Sequence, residues 1–192
     1  MMSEHYLREA ILFLVDPCLG FYILIVLFRF LFQLTSAQVN NPISQFILKL
    51  SNPPLYIIQR VIPTTGSVNL AAILLLILLT SAQISVITLL TGNIPQLSGV
   101  VVLGIAKLLK LIIYVMIYSL FARAILSWFN TIRYKYLEIL LYSFTEPILK
   151  RTRKFLPKTI SIDISPIIVF IFLMLVMKLV VQPLTDLGNL IL

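Results

Sequence analysis

The sequence predicts an all-α integral membrane protein. Four transmembrane helices, with interfacial amphipathic helices between them, form two parallel repeats of two spans each, related by a pseudo-two-fold axis. Three observations lead there. Hydrophobic residues make up 60% of the chain and charged residues 11%, with a mean hydropathy of +1.05, which leaves too little polar surface to cover a soluble sphere. Four apolar runs are long enough, at about 1.5 Å per residue, to cross a hydrocarbon core of about 30 Å. Finally, Arg123 to Val180 rewrites Arg29 to Val86 under a shift of 94 residues with no gap. Ten identities fall in these 58 positions, among them Arg29/Arg123, Pro53/Pro147, Pro63/Pro157 and Ser67/Ser161.

Composition also narrows function. The formal charge of +8 suggests nucleic acid at first sight, but the basic residues flank apolar segments, where anionic lipid and membrane orientation account for them, so no nucleic-acid partner is expected. Cys18 is the one cysteine, which excludes an intrachain disulfide. Glu4, Arg8 and Glu9 stand where a secretory signal carries a basic n-region, so the first apolar segment is expected to remain in the protein.

The first repeat is read as residues 1–92. Leu7, Ile11 and Leu14 at helical spacing predict a short interfacial helix before residue 15, with His5 solvated near the terminus. Asp16 followed by Pro17 reads as an N-cap and first-turn proline, so a first span is expected over about residues 17–36. The next stretch is apolar but broken by Pro42, Pro53, Pro54 and Pro63; it predicts two short interfacial helices, about 43–51 and 53–62. Asn69 is the expected cap of a second span ending near residue 90.

Residues 91–99, uncharged and holding Gly92 and Pro95, are read as the turn between repeats, and residues 93–192 as the second repeat. Its first span is either one long helix from about residue 100 or a short helix followed by a span over about 110–129, and equivalence with the first repeat favours the latter. Basic interfacial helices are expected over about 134–156. There Ile148, Leu149, Thr152, Phe155 and Leu156 share one face, while Lys150, Arg151, Arg153 and Lys154 share the other. Ser165 before Pro166 caps a fourth span to about residue 182, before Pro183.

The connections inside the repeats carry Lys49, Arg60, Arg133, Lys135, Lys150, Arg151, Arg153, Lys154 and Lys158, against Arg8, Lys107 and Lys110 near the opposite face. The positive-inside bias therefore places the connections in the cytoplasm and both termini outside it.

At NPISQFILKLSNPPLYIIQRVIPTTGSVN, and again at TEPILKRTRKFLPKTISIDISP, the chain resembles the YggT/YlmG family of small bacterial and plastid membrane proteins. The resemblance implies an integral protein of the bacterial inner membrane with two such repeats, whose termini the charge bias then places in the periplasm. It also implies a link to osmotic tolerance or potassium homeostasis, cell division, nucleoid distribution or, in plastids, cytochrome b6 haem attachment. Arg29, Pro53, Arg60, Pro63, Gly66 and Asn69 match the pattern in the first repeat, and Arg123, Trp128, Pro147, Lys154, Pro157 and Asp163 in the second. Asn69 stands where the family usually has an acid, Leu34 stands opposite Trp128, and Ile160 replaces a usual glycine.

Arg29 and Arg123 are the sharpest polar features, since an arginine in hydrocarbon costs on the order of 2.5 kcal/mol or more at a helix centre. Glu146 and Asp163 are the candidate partners. With Asn52 and Asn69 as their first-repeat counterparts, one arginine is expected to be served within its own repeat and the other across the pseudo-dyad. Such pairs would clamp the proline-rich connections, with Pro53, Pro63, Pro147 and Pro157, onto the spans; the equal alternative is that the arginines snorkel to lipid phosphate. Lys150, Arg151, Arg153 and Lys154 are the candidate contacts for anionic lipid headgroups or a membrane-protein partner. Gln83, Ser85 and Lys178 are the candidates for an ion path, although helix packing for the Ser/Thr/Gln run of the second span and snorkelling for Lys178 are the favoured readings. No nucleophile with its base, metal cluster, CxxC or phosphate-binding glycine loop occurs, so neither catalysis nor a cofactor is expected. Two readings follow: a scaffold or assembly factor with a basic cytoplasmic face, or a homo-oligomeric channel or transport component for potassium.

Overall fold

The computed structural model describes residues 2–35, 41–60, 69–128, 135–156 and 163–192, with side chains from residue 6 onward. The described residues form six helices and no strand. They are α1 (Met2–Leu34), α2 (Pro42–Gln59), α3 (Leu70–Leu90), α4 (Leu97–Leu126), α5 (Lys135–Arg153) and α6 (Ser165–Ile191). Tyr6–Leu34 of α1, α3, α4 and α6 hold 29, 21, 30 and 27 residues and are each apolar enough to span. Even the 21-residue α3 reaches about 31 Å, the thickness of a hydrocarbon core. The chain is a multi-pass membrane protein, and each half repeats the order of span, connecting helix, span.

α4 packs against α3 on one side and α6 on the other, and α1 covers α3. α2 lies across α1 and α3, while α5 lies across α4 and α6. The connecting helices meet on one side of the bundle, as parallel repeats require. Asn41 Nδ2 at the start of α2 donates to the Tyr136 carbonyl of α5 at 2.7 Å, and Phe144 of α5 stacks on Phe32 of α1 at 5.3 Å. One core cluster joins Ile23, Leu27 and Leu31 to Leu75, Leu76 and Phe144; a second joins Ile113, Ile117 and Leu120 to Leu149, Val169 and Leu173.

Among the described residues, Pro17, Pro53, Pro147 and Pro183 do not break helices where the sequence suggests. α1 runs unbroken through Pro17, so there is no separate interfacial helix and Asp16 is not a cap. A proline removes one backbone donor, but hydrocarbon offers the neighbouring groups no partner outside the helix, so a spanning chain stays helical. α4 is correspondingly one helix from Leu97; once α1 is continuous, equivalence itself favours the long form. α2 passes through Pro53 and Pro54 as one helix capped by Asn41, and α5 passes through Pro147. The carbonyl of Leu50, left without its helical donor by Pro54, accepts from Tyr22 Oη of α1 at 3.4 Å. In α6 the helix continues past Pro183 to Ile191, because Met177–Val181 widens into a π turn in which the Gln182 N–H reaches the Met177 carbonyl. That extra residue re-registers the ladder just before the proline.

Asn69 caps α3 as expected, its side chain accepting from the Ala72 N–H at 3.1 Å. Gly92, with φ of 91°, ends α3 in the left-handed conformation and turns the chain into α4. Close helix contacts depend on two further glycines. A Cβ on Gly104 would come within 3.2 Å of the Thr80 and Ser81 hydroxyl oxygens, and one on Gly188 within 2.7 Å of Leu103.

Candidate functional site

The polar residues converge where α2 and α5 cross the ends of the spans. In the second repeat, Arg123 sits in the last turn of α4 and reaches down to α5. Its Nη1 donates to Thr145 Oγ1 at 2.8 Å and to Glu146 Oε2 at 3.0 Å, and its guanidinium lies 4.4 Å over the Tyr142 ring. Glu146 Oε1 accepts from Arg153 Nη1 at 2.8 Å. Arg153 in turn holds Asp163 through Nη2 at 2.7 Å and Nε at 2.9 Å. Asp163 Oδ1 then accepts from the Ser165 N–H at 3.0 Å and from its hydroxyl, securing the start of α6. Four alternating charges thus tie α4, α5 and α6 together. Burial pushes the Glu146 carboxyl up, but Arg123 and Arg153 outweigh it and hold the group below the usual carboxylate range. Asp163 behaves alike: burial raises it, and Ser165 with Arg153 brings it down further than that. The Asp163 carboxylate foremost, with Glu146, holds the Arg153 guanidinium above its ordinary value.

The first repeat has the same scaffold without the acids. Arg29 Nη1 donates to Asn52 Oδ1 at 2.5 Å and to Ser51 Oγ at 3.5 Å, while its buried Nε finds no partner among the described residues. Ser51 and Thr145 play one part in both repeats: each hydroxyl donates to the carbonyl four residues back, at 2.7 and 2.8 Å, and accepts from the arginine. Each arginine is therefore served within its own repeat. The expected contact across the pseudo-dyad is absent among the described residues, because Asp163 is taken up by Arg153.

Pro53 and Pro147 lie inside α2 and α5, one residue after Asn52 and Glu146. Pro63, Pro157, Gly66 and Lys158 fall outside the described residues. Of the basic face, Lys150, Arg151 and Lys154 are exposed, whereas Arg153 turns inward to its two carboxylates. Gln83 does not line a path. It is 1% exposed, and its Nε2 donates to the Asp16 carbonyl at 2.9 Å and to Asp16 Oδ1 at 2.6 Å, which ties α3 to α1. Lys107 of α4 approaches the same carboxylate at 3.9 Å. Ser85 is half-buried, and Lys178 is exposed on the outer surface of α6.

Sequence reasoning missed Ser51, Thr145, Tyr142 and the part played by Asp16. Counting identities passed over Ser51 and Thr145, although a hydroxyl before the Asn-Pro and Glu-Pro pairs, under the same 94-residue shift, marks them. Among the described residues no three His, Cys, Asp or Glu side chains come together as a metal site.

The family model described as CCB3/YggT matches residues 8–90 and again 102–184. The chain belongs to the CCB3/YggT family. The two YggT matches start and end 94 residues apart, the register of the internal repeat. A Pseudomonas aeruginosa relative is 34% identical over 181 residues, covering 92% of this chain and 90% of its own. The YggT protein of Escherichia coli K12 is 29% identical over 184 residues, 96% of each chain. A Vibrio alginolyticus protein encoded in the proC 3' region is 30% identical over 161 residues, 83% of this chain and 86% of its own. None of these names states an activity. No solved structure matches the chain.

Proposed function

We propose that this YggT-family protein is a non-catalytic scaffold of the bacterial inner membrane, whose α2–α5 platform faces the cytoplasm and presents Lys150, Arg151 and Lys154 to an acidic membrane-protein surface among anionic headgroups. The observation that carries the reading is the division of labour on α5. Arg153 is consumed in the ion chain that holds the helix down, while its three basic neighbours point outward. A helix that needed basic residues only for its own anchoring would not leave three free at one end. The excess of cations on the connection side supports the cytoplasmic orientation. The assignment of osmotic or division roles follows the family resemblance and rests on the same surface. A potassium path through Gln83 and Ser85 has less support, since Gln83 is buried and its amide is committed to Asp16.

A photo-crosslinking residue at Phe155, a position 90% exposed beside the basic patch, tests the reading in cells. Discrete adducts are expected, falling about tenfold when Lys150, Arg151 and Lys154 are all changed to Glu, a loss of about 1.4 kcal/mol of association. Adducts indifferent to that charge reversal, or potassium flux through the purified protein in liposomes, would overturn it.

A further inference from the structure

The two repeats place the same backbone around an arginine and neutralise it differently. Shifted by 94 residues, Glu146, Arg153 and Asp163 of the second repeat correspond to Asn52, Gln59 and Asn69 of the first. The second niche balances its own charge, two cations against two carboxylates. The first niche holds Arg29 with neutral oxygens only, and no Asp or Glu occurs anywhere between Pro17 and Leu137. A half-buried guanidinium with an unpartnered buried Nε is costly without a counter-charge.

Beside it α2 opens a cleft of about 420 Å³ lined by Lys49, Asn52, Pro53, Tyr56 and Gln59. Its polar groups are biased toward donors. With Asn52 Oδ1 committed to Arg29, what the amide has left to offer is its two Nδ2 hydrogens, and Lys49 is donor only. Arg60 lies 4.9 Å over the ring of Tyr56, which lines the cleft, so a second cation stands beside that of Lys49. We infer that the cleft of α2 beside Arg29 is a binding site for a phosphate-class oxyanion, the phosphodiester of a lipid headgroup or free phosphate, whose negative charge, held on Lys49 and the Asn52 amide hydrogens, offsets the Arg29 guanidinium across Asn52. Amide donors with a neighbouring ammonium suit tetrahedral oxyanions, which present several acceptors at once. The inference is independent of the exposed α5 patch, which lies on the other repeat.

The test uses the full chain in phosphatidylcholine nanodiscs and reads the thermal midpoint. One arm adds phosphatidylglycerol in phosphate-free buffer; the other titrates inorganic phosphate with no anionic lipid. Wild-type protein is expected to gain about 3–5 °C at tenfold saturation in one arm, and which arm responds names the source of the anion. Asn52→Glu installs the carboxylate of the second repeat. It should raise the midpoint without ligand and abolish the increment. Lys49→Gln, at an exposed position that leaves the fold alone, should weaken the apparent affinity about tenfold, the equivalent of about 1.4 kcal/mol. Changing Lys150, Arg151 and Lys154 to Glu should leave the increment intact. No increment in either arm, an increment that survives both Asn52→Glu and Lys49→Gln, or one that vanishes with the α5 reversal would each overturn the inference.

Discussion

Replacing Glu146 by Gln removes one charge and almost no volume from the joint that holds α4, α5 and α6. The lost interactions are a 3.0 Å bond to Arg123 and a 2.8 Å bond to Arg153, with the carboxylate side chain 19% exposed. Removing one member of a fully buried pair costs about 3–5 kcal/mol. Arg153 is 38% exposed, and the new amide oxygen still accepts one bond, so the cost here falls to about 2–3 kcal/mol. For a chain of this length that is a fall of about 5–10 °C in midpoint. Asn52→Ala in the first repeat, which removes a single exposed bond between a charged and a neutral group, should cost about 1.5 kcal/mol, the low end for such a bond. Thermal unfolding in neutral-lipid nanodiscs, followed by the fluorescence of Trp128 and by size-exclusion recovery after heating, reads both. If Glu146→Gln melts within about 1 °C of wild type, or no lower than Asn52→Ala, the ion chain does not hold the helices and the reasoning fails.

Acid should act on the same joint. The Glu146 and Asp163 carboxyls both titrate lower folded than unfolded, so their stabilisation is complete above about pH 5.5 and is lost as pH falls through the ordinary carboxylate range toward their folded values. Midpoints measured from pH 7 to pH 3 should show that decline, and it should be shallower in Glu146→Gln. Gly188→Ala places a methyl 2.7 Å from the Leu103 side chain and 3.2 Å from its backbone nitrogen, so α4 and α6 must part, at about 1–3 kcal/mol in the same melting assay. Gln83→Leu should cost about 1 kcal/mol by releasing α1 from α3, while leaving potassium permeability of reconstituted liposomes at the level of empty vesicles. Charge reversal at Lys150, Arg151 and Lys154 should lower the midpoint by about 1–2 kcal/mol equivalent, because the last turn of α5 favours cations and a Glu at 150 would stand one turn from Glu146.

Much of the architecture was legible because a bilayer reduces folding to length, polarity and charge side. The four spans, the Asn69 cap and the internal repeat all follow from those. Helix ends were misread wherever proline was treated as it behaves in water. At Pro17 and Pro183 the helix continues, because satisfying backbone groups inside the helix outweighs one missing donor when hydrocarbon surrounds it. α2 and α5 also continue through Pro53 and Pro147, and in α2 the Tyr22 hydroxyl takes up the Leu50 carbonyl that Pro54 leaves without a donor. At the site, Arg29 and Arg123 stand out in any reading of the sequence, and so do Glu146 and Asp163. Which acid serves which base does not, since Arg153 looks like one more residue of a basic face until α5 is docked and turns it onto both carboxylates. For Gln83 the sequence favoured helix packing over an ion path without naming the partner, and only the docking of α1 shows the amide spent on Asp16.

The central claim is that Arg29 and Arg123 fasten α2 and α5 to the spans as one platform. Spin labels at Ile57 of α2 and Lys150 of α5, both exposed, placed in a background with the exposed Cys18 changed to Ser, measure it directly by dipolar spectroscopy in nanodiscs. Wild-type protein should give one narrow distance distribution, and Arg29→Gln with Arg123→Gln should broaden it while α3 and α4 keep their mutual spacing. A distribution already broad in wild type, or one unchanged by the double substitution, would contradict the account.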